Sequence, residues 1–395
     1  MLVRAAEIFL LEVPLGGRLF NPRLLWHRKQ SVFLRLHDED GRTGWGECWM
    51  FDSSADALIR YLQTEILPAL VGQRIDRIPA FWDDMWQQTS LTGRHGMMAS
   101  ALSAIDIALH DLAAQTSGQP LGASLGLPVL RDCVPVYASG GLYYVDDSLE
   151  RLDAEMRGLV AAGHRHVKMK FGALSFEQDV ARLRAVRQAI GPDAGMIVDA
   201  VYSLDRDKAR NWIPVWQDLG VEAVQAPFAV HDWQSMRWLN SDCGIPVMAF
   251  ESESRPEVFA ALLQLGGIGM MQFSPLAVGG VTAARRLIRL AEEHGVPVSL
   301  QCSSTWLAEA VALELARSHG AIRHVELHTL HTGLNEIVPE AETLPRDGHL
   351  YLHDRPGLGF APPLSRLRDV TDTLPDLGQT GLDAINRQKS ASIGF

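Results

Sequence analysis

From Val134 onward the chain alternates short apolar runs with stretches whose apolar residues return every three or four positions. Val134-Pro135-Val136-Tyr137 opens the series. Further strand ends fall near Lys170, Asp199, Gln225, Phe250, Gln272, Leu300 and Glu326, spaced 22 to 29 residues apart. Between them Val180, Leu183, Val186 and Ile190 form one helical stripe, and Leu287, Leu290 and Ala291 fit another. Eight strand–helix units at so regular a spacing predict an α/β fold of the (β/α)8 barrel type rather than an open doubly wound sheet. No Gly-x-Gly-x-x-Gly follows any strand, which weighs against a dinucleotide-binding fold.

The first part of the chain has a different texture. Ser31-Val32-Phe33-Leu34-Arg35-Leu36 alternates and Asp38-Glu39-Asp40-Gly41 has turn chemistry, so residues 1 to about 60 read as strands. Beyond Asp56 the period becomes helical. Met98, Leu102, Ile105, Leu109 and Leu112 lie on one helix face, which Gly118-Gln119-Pro120 ends. The predicted organisation is an α+β capping domain over residues 1–130, a barrel over 131–340, and a segment over 341–395 returning to the cap. The tail after about Thr371 reads as peripheral.

Composition narrows the function classes. The 395 residues, 47% hydrophobic and 21% charged, are those of an ordinary globular chain. A formal net charge of −11 argues against nucleic acid or an anionic membrane as partner, yet leaves room for a small anion held by local positive charge. No segment reads as a membrane span or signal peptide. Cys48, Cys133, Cys243 and Cys302 show no zinc spacing and read as thiols of a reducing, cytoplasmic setting.

Within this pattern His166-Val167-Lys168-Met169-Lys170 stands out. Alternation along a strand points Lys168 and Lys170 the same way, and Asp199 ends the next strand as an anionic partner. Such a constellation suits a catalytic barrel mouth, and it also suits a polar anchor at a solvated barrel end.

Several separated motifs then carry a family resemblance. Ser103-Ala104-Ile105-Asp106-Ile107-Ala108-Leu109-His110-Asp111-Leu112, Gly44-Trp45-Gly46-Glu47, the lysine pair, Gly279-Gly280 and Asp354-Arg355-Pro356-Gly357-Leu358-Gly359 occur in the order seen in the enolase superfamily. More specifically the chain resembles the mandelate racemase/muconate lactonizing enzyme group over residues 1 to about 365. The resemblance implies a lyase or isomerase that removes the proton α to the carboxylate of a small carboxylic acid. The enediolate would be stabilised by Mg2+ and lysine ammonium groups. It places the base at Lys170 and a carboxylate-neutralising role at Lys168, and it implies a homo-oligomer.

The same resemblance exposes departures. Metal ligands belong at the ends of the third, fourth and fifth strands, where this chain offers Asp199, Gln225 and Glu251; the fourth is an amide in Gln225-Ala226-Pro227, and Phe250 cannot ligate. The group's second catalysts are also absent: Ser274, Ala277 and Gln301 stand where an aspartate, a lysine and a histidine are usual. A two-base racemase is thereby disfavoured. Glu326 and His328 on the eighth strand and Tyr202 after the third are the candidate acids, with Ser274, Gln301 and Tyr202 also expected to contact substrate.

Specificity is expected from cap stretches Leu15 to Trp26 and Cys48 to Phe51, which offer Arg18, Arg23, Trp26, Trp49, Met50 and Phe51. Such groups suit a carboxylate with an apolar or lightly hydroxylated body. His324, His328 and His331 read as loop or substrate contacts more readily than as a separate metal site, and His166 as a barrel-end packing or hydrogen-bonding residue. Cys302-Ser303-Ser304 reads as polar lining. Three functional readings stay open: a magnesium-assisted lyase or isomerase, a metal-free enzyme with lysine ammonium in the cation's place, and a non-catalytic acid- or partner-binding descendant.

Overall fold

The computed structural model describes residues 1–50, 55–91, 93–329 and 344–372. Eight parallel strands close into a barrel: Cys133–Ser139, His166–Lys170, Gly195–Asp199, Val221–Gln225, Val247–Ala249, Met270–Phe273, Val298–Leu300 and Ile322–His328. The eighth pairs with the first from Val325↔Val136 to His328↔Ser139. Alternation divides each strand. Val167, Met169, Met196, Val198 and Val224 join the core beneath the surrounding helices, while Tyr137, Ile197, Ala223, Met248 and Met270 fill the interior.

Helices follow the first seven strands, among them Phe176–Ile190 with a Ser175/Gln178 capping box and Arg206–Asp218 capped by Asp205. The eighth unit differs from expectation. Among the described residues no helix follows the last strand; His349–Tyr351 instead pairs antiparallel with Cys133–Pro135 at the base of the first strand. The chain then runs on to the cap, where Arg368–Asp369 pairs with Phe9 and Leu10.

The cap is an antiparallel sheet of Ala5–Phe20, Leu25–His37 and Thr43–Cys48, buried on both faces. On the middle strand Val32, Leu34 and Leu36 pack into the cap's own core with Ile105, Leu109 and Leu112. Phe33 points the other way into the core shared with the barrel, and alternation gives Ser31 and Lys29 the same direction.

Helix Met97–Ser117 lies between the two. It is long and apolar enough to cross a membrane, contrary to the sequence reading, but 83% of its most apolar window is buried inside the protein. A Cβ on Gly44 or Gly46 would lie 2.2 Å from Ala108 O or 1.9 Å from Ala104 O, so glycine there lets sheet and helix meet. On the barrel side Asp106 accepts from Thr282 N at 2.8 Å and Thr282 Oγ1 at 2.6 Å, and Gly279 N donates to Ser103 Oγ at 2.9 Å. A Cβ on Gly280 would meet Asp106 at 2.5 Å. Asp111 accepts from Trp45 N and Leu358 N, both at 2.9 Å. Three of the motifs that mark the resemblance thus converge on a fourth, the helix itself. They hold the cap on the barrel rather than perform chemistry.

Candidate active site

Parallel strands bring their C-terminal ends to one mouth, and the cap sheet covers it. The chamber between them is lined by Asn21, Trp26, Lys29, Lys168, Lys170, Gln225, Glu251, Gln301, Ser303 and His328. At its floor Lys170 pairs in register with Asp199 and donates to Asp199 Oδ2. Lys168 Nζ lies 2.5 Å from Glu326 Oε1 and 3.6 Å from Asp199 Oδ2. Both lysines are buried. Burial opposes the charge on Lys168, yet Glu326, Tyr137 and Asp199 hold it above the ordinary lysine value, so it stays an ammonium.

Glu326 is fully buried beneath Lys168 and also accepts from Cys302 N at 3.0 Å. Burial disfavours its charge, but the two lysines hold it below the usual carboxylate range. An ionised, fully engaged carboxylate outside the chamber lining positions Lys168; it is poorly placed to donate a proton.

The three sequence-predicted metal ligands do converge. Gln225 Nε2 donates to Glu251 Oε2 at 2.8 Å, which leaves Gln225 Oε1 buried without a hydrogen-bond partner. Burial and the neighbouring charge of Asp199 push Glu251 above its ordinary value, against the pull of Lys170 and Lys168. Two mutually repelling carboxylates and an orphaned amide oxygen form an oxygen donor set that a hard divalent cation such as Mg2+ fits.

Other candidates separate. Trp26, Gln301 and His328 line the chamber. Gln301 donates to Ser303 Oγ, and its Oε1 is another buried oxygen without a partner. His328 is held well below its ordinary value by burial and by Lys29, Lys168 and Lys170. Its neutral ring can hydrogen-bond a substrate oxygen but cannot act as an ordinary imidazolium acid. Tyr202 lies outside the lining: its hydroxyl is 2.7 Å from Ser252 Oγ, and burial with the charge of Glu251 raises its pKa, making it a weaker acid. Ser274 is buried just past the sixth strand and Trp49 packs against the core, so neither lines the chamber.

The cap contributes differently from expectation. Arg18 is a surface residue facing Asp146, and Arg23 donates to Val201 O at 2.8 Å and Tyr202 O at 2.5 Å, tying the cap to the loop after the third strand. Phe51 and His331 lie outside the described residues. The cation that reaches the chamber is Lys29, buried at 2% exposure, with Nζ 5.5 Å from the Trp26 ring. Sequence reasoning missed Lys29 and Asn21, while Ser303 lines the chamber as its polar reading expected. The signal for Lys29 was available: stepping back by twos from Phe33 passes Ser31 and reaches it.

Glu47, end of a resemblance motif, turns out to be the cap's anchor on the barrel mouth. It accepts from Ser31, from Ser304 Oγ at 2.5 Å and from Thr305 Oγ1 at 2.7 Å, while burial raises its pKa.

Known proteins share this architecture. An enolase C-terminal domain-like family model matches residues 151–365, and the mandelate racemase/muconate lactonizing enzyme N-terminal domain matches 24–126. Similar curated proteins are named as dehydratases, cycloisomerases and epimerases. Arabinonate dehydratase of Saccharolobus solfataricus is 25% identical over 85% of this chain and 88% of its own length. The L-Lys-D/L-Arg epimerase of Methylococcus capsulatus is 29% identical over 84% and 91%. The crystal structure of a racemase from Streptomyces coelicolor A3(2) with bound magnesium shares the fold at a TM-score of 0.84, with 24% identity, covering 92% of this chain and 98% of that one. With a closed barrel, a paired-lysine strand and a docked cap already in view, these matches establish that the chain belongs to the mandelate racemase/muconate lactonizing enzyme group of the enolase superfamily.

Proposed function

We propose that this protein is a magnesium-assisted lyase or isomerase that removes the proton α to the carboxylate of a small carboxylic acid. The observation that carries the reading is the placement of Lys170 and Lys168 in one buried chamber with Glu251 and the orphaned Gln225 Oε1. Lys170, as the free amine, takes the α proton; Lys168, held as an ammonium by Glu326, faces the negative charge of the substrate carboxylate as it grows. Lys29 supplies a second fixed positive charge from the cap, and neutral His328, Gln301 and Ser303 offer hydrogen bonds to hydroxyl or carbonyl oxygens. Mg2+ held by Asp199, Gln225 and Glu251 would supply Lewis-acid stabilisation of the enediolate.

Charge balance supports the cation. With Lys170 neutral, Asp199, Glu251 and Glu326 face Lys168 and Lys29, leaving one net negative charge before substrate adds another. A divalent ion brings that buried set to neutrality, and proton transfer to Lys170 then conserves it. One observation favours a metal-free variant of the same chemistry: the Lys168 ammonium stands 3.6 Å from the Asp199 oxygen that Lys170 also contacts, so that carboxylate already has a fixed positive neighbour.

The substrate class suggested by the relatives' names is sugar acids and amino-acid derivatives. The test is a panel of such acids incubated in D2O with Mg2+ and followed by proton NMR, which reads α-proton exchange whatever product forms. Wild type should exchange or convert at least one acid, and Lys170→Ala should lose that activity while keeping its circular-dichroism spectrum. Exchange retained in Lys170→Ala removes the base assignment, and silence across the panel favours the binding-protein alternative.

A further inference from the structure

The opposite end of the barrel carries a second cluster. His166, Glu222 and His324 stand at the starts of the second, fourth and eighth strands, and one ligand atom from each lies within 4.8 Å of the others. His166 Nε2 is 3.6 Å from Glu222 Oε1, and the two imidazole rings are 5.1 Å apart. His324 does not share a site with His328, which sits at the far end of the same strand.

The cluster is incompletely satisfied. His324 is 2% exposed and its Nδ1 has no hydrogen-bond partner; Glu222 Oε2 is also buried without one. Burial and the charges of His166 and Arg323 push His324 down to about 3, so this ring is a neutral lone-pair donor at physiological pH.

The backbone makes room for the group. The third strand begins at Gly195, where a Cβ would stand 2.1 Å from His166 Cδ2 and 2.9 Å from Glu222 Oε1, so a side chain there would occupy the cluster. The pairing register slips at two of the contributing strands. Met196↔Val221 is followed by Ile197↔Ala223, skipping Glu222, and Val298↔Ile322 is followed by Ser299↔His324, skipping Arg323. Bulges of this kind re-aim side chains at barrel rims.

We infer that His166, Glu222 and His324 form a binding site for a borderline divalent metal ion, of which Zn2+ is the natural probe, at the N-terminal mouth of the barrel. Two imidazole nitrogens and a carboxylate are the donor set that Zn2+, Co2+ and Ni2+ take in preference to Mg2+. His166 and Glu222 are 28% and 32% exposed, so the ion has a route from solvent and a position left for water. A cation there ties together strands two, four and eight at the end of the barrel that serves stability rather than turnover. The site is independent of the chemistry proposed for the other mouth.

The test uses the full chain, stripped with chelator, and measures Zn2+ affinity by competition with a chromophoric chelator, together with the visible absorption of the Co2+ complex. Three variants run alongside: His324→Gln, His166→Gln, and Asp199→Asn/Glu251→Gln, which removes the carboxylates of the catalytic mouth. The expected result is one ion per chain with a Kd of about 1 μM or tighter. Binding should persist in the Asp199/Glu251 variant and weaken on the order of 100-fold in both histidine variants. Zn2+ should raise the wild-type melting temperature and leave that of His166→Gln unchanged. His166 is partly exposed, so its variant keeps the test decisive should His324→Gln fail to fold. No stoichiometric binding, binding undiminished in His166→Gln, or binding lost only in the Asp199/Glu251 variant would each overturn the inference.

Discussion

Replacing Gln225 by glutamate probes the one amide among the three expected metal ligands. The amide Nε2 donates to Glu251 Oε2 at 2.8 Å, so the variant sets one carboxylate oxygen against another at that distance. Two unit charges 2.8 Å apart repel by about 6 kcal/mol at an effective dielectric constant of 20. The pair escapes most of this by sharing a proton. Holding a glutamate protonated at pH 7, from an ordinary value of about 4.3, costs about 4 kcal/mol, which is the ceiling on destabilisation. Such a proton is bound more tightly in the folded than in the unfolded chain. Stability is therefore full below the ordinary glutamate pKa and is lost as pH rises through the raised folded value. Mg2+ should remove the penalty by satisfying both carboxylates. The assay is thermal unfolding of chelator-treated wild type and Gln225→Glu at pH 5 and 7.5, with and without Mg2+. The variant should melt roughly 5 °C below wild type at pH 7.5 without the ion, with the gap closing at pH 5 and reversing in Mg2+. Equal melting temperatures and equal responses to Mg2+ would mean that residues 225 and 251 do not share a donor site.

Three further perturbations address the cap. Lys29→Met removes a fixed positive charge from the chamber while keeping the apolar stem, so KM for an active acid should rise about 10- to 100-fold with unfolding temperature preserved; an unchanged KM would place substrate away from the cap. Gly46→Ala drives a Cβ to 1.9 Å from Ala104 O and should cost about 3 kcal/mol or more, read as lost soluble yield or a lower denaturation midpoint; wild-type stability would contradict the tight sheet–helix contact. Asp106, pushed up to about 7 by burial against the opposing bonds from Thr282, binds its proton more tightly folded than unfolded. Its contribution to stability is lost as pH rises from about 4 through 7. Asp106→Asn should flatten that window in pH-dependent unfolding curves, and an unchanged slope would show that Asp106 is ionised throughout.

The regular strand–helix spacing made the barrel legible, because each βα unit must return the chain to the same mouth. Predicted strand ends at Phe250, Gln272 and Glu326 fall within two residues of the observed Ala249, Phe273 and His328. The lysine pair followed from strand alternation, and Asp199 from the next strand's register. What stayed hidden depends on packing between distant segments. Lys29 carries no local mark, because nothing in the neighbouring sequence says that both faces of the cap sheet are buried. Glu222 and His324 reach one cluster only because two strands slip register, and a bulge leaves no pattern in an isolated sequence. Arg23, expected to meet substrate, instead satisfies the carbonyls of Val201 and Tyr202. The last βα unit differs among the described residues, where His349–Tyr351 pairs with the first strand and the chain then runs to the cap.

The uncharged residues at 274, 277 and 301 and the burial of Lys29 belong to one arrangement. Just past the sixth and seventh strands Ser274, Ala277 and Gln301 bring no charge to the chamber, so among the described residues the barrel's lysines in the lining are those of the lysine strand. The remaining positive group comes from the cap, and its position therefore depends on how the cap is seated. That seating is fixed next to the chemistry: Glu47, opposite Phe33 in the cap sheet, holds Ser31, two residues from Lys29, and also Ser304 and Thr305, which directly follow the chamber residue Ser303. One buried carboxylate thus joins the strand that carries Lys29 to the loop that carries Gln301 and Ser303. In a barrel whose strands carried both catalysts, a loosened cap would weaken binding and leave proton abstraction intact. Under the function proposed above, a loosened cap would also remove a charge from the buried set that must stay near neutrality, so cap seating would set the electrostatics of the proton-transfer step as well as access to it.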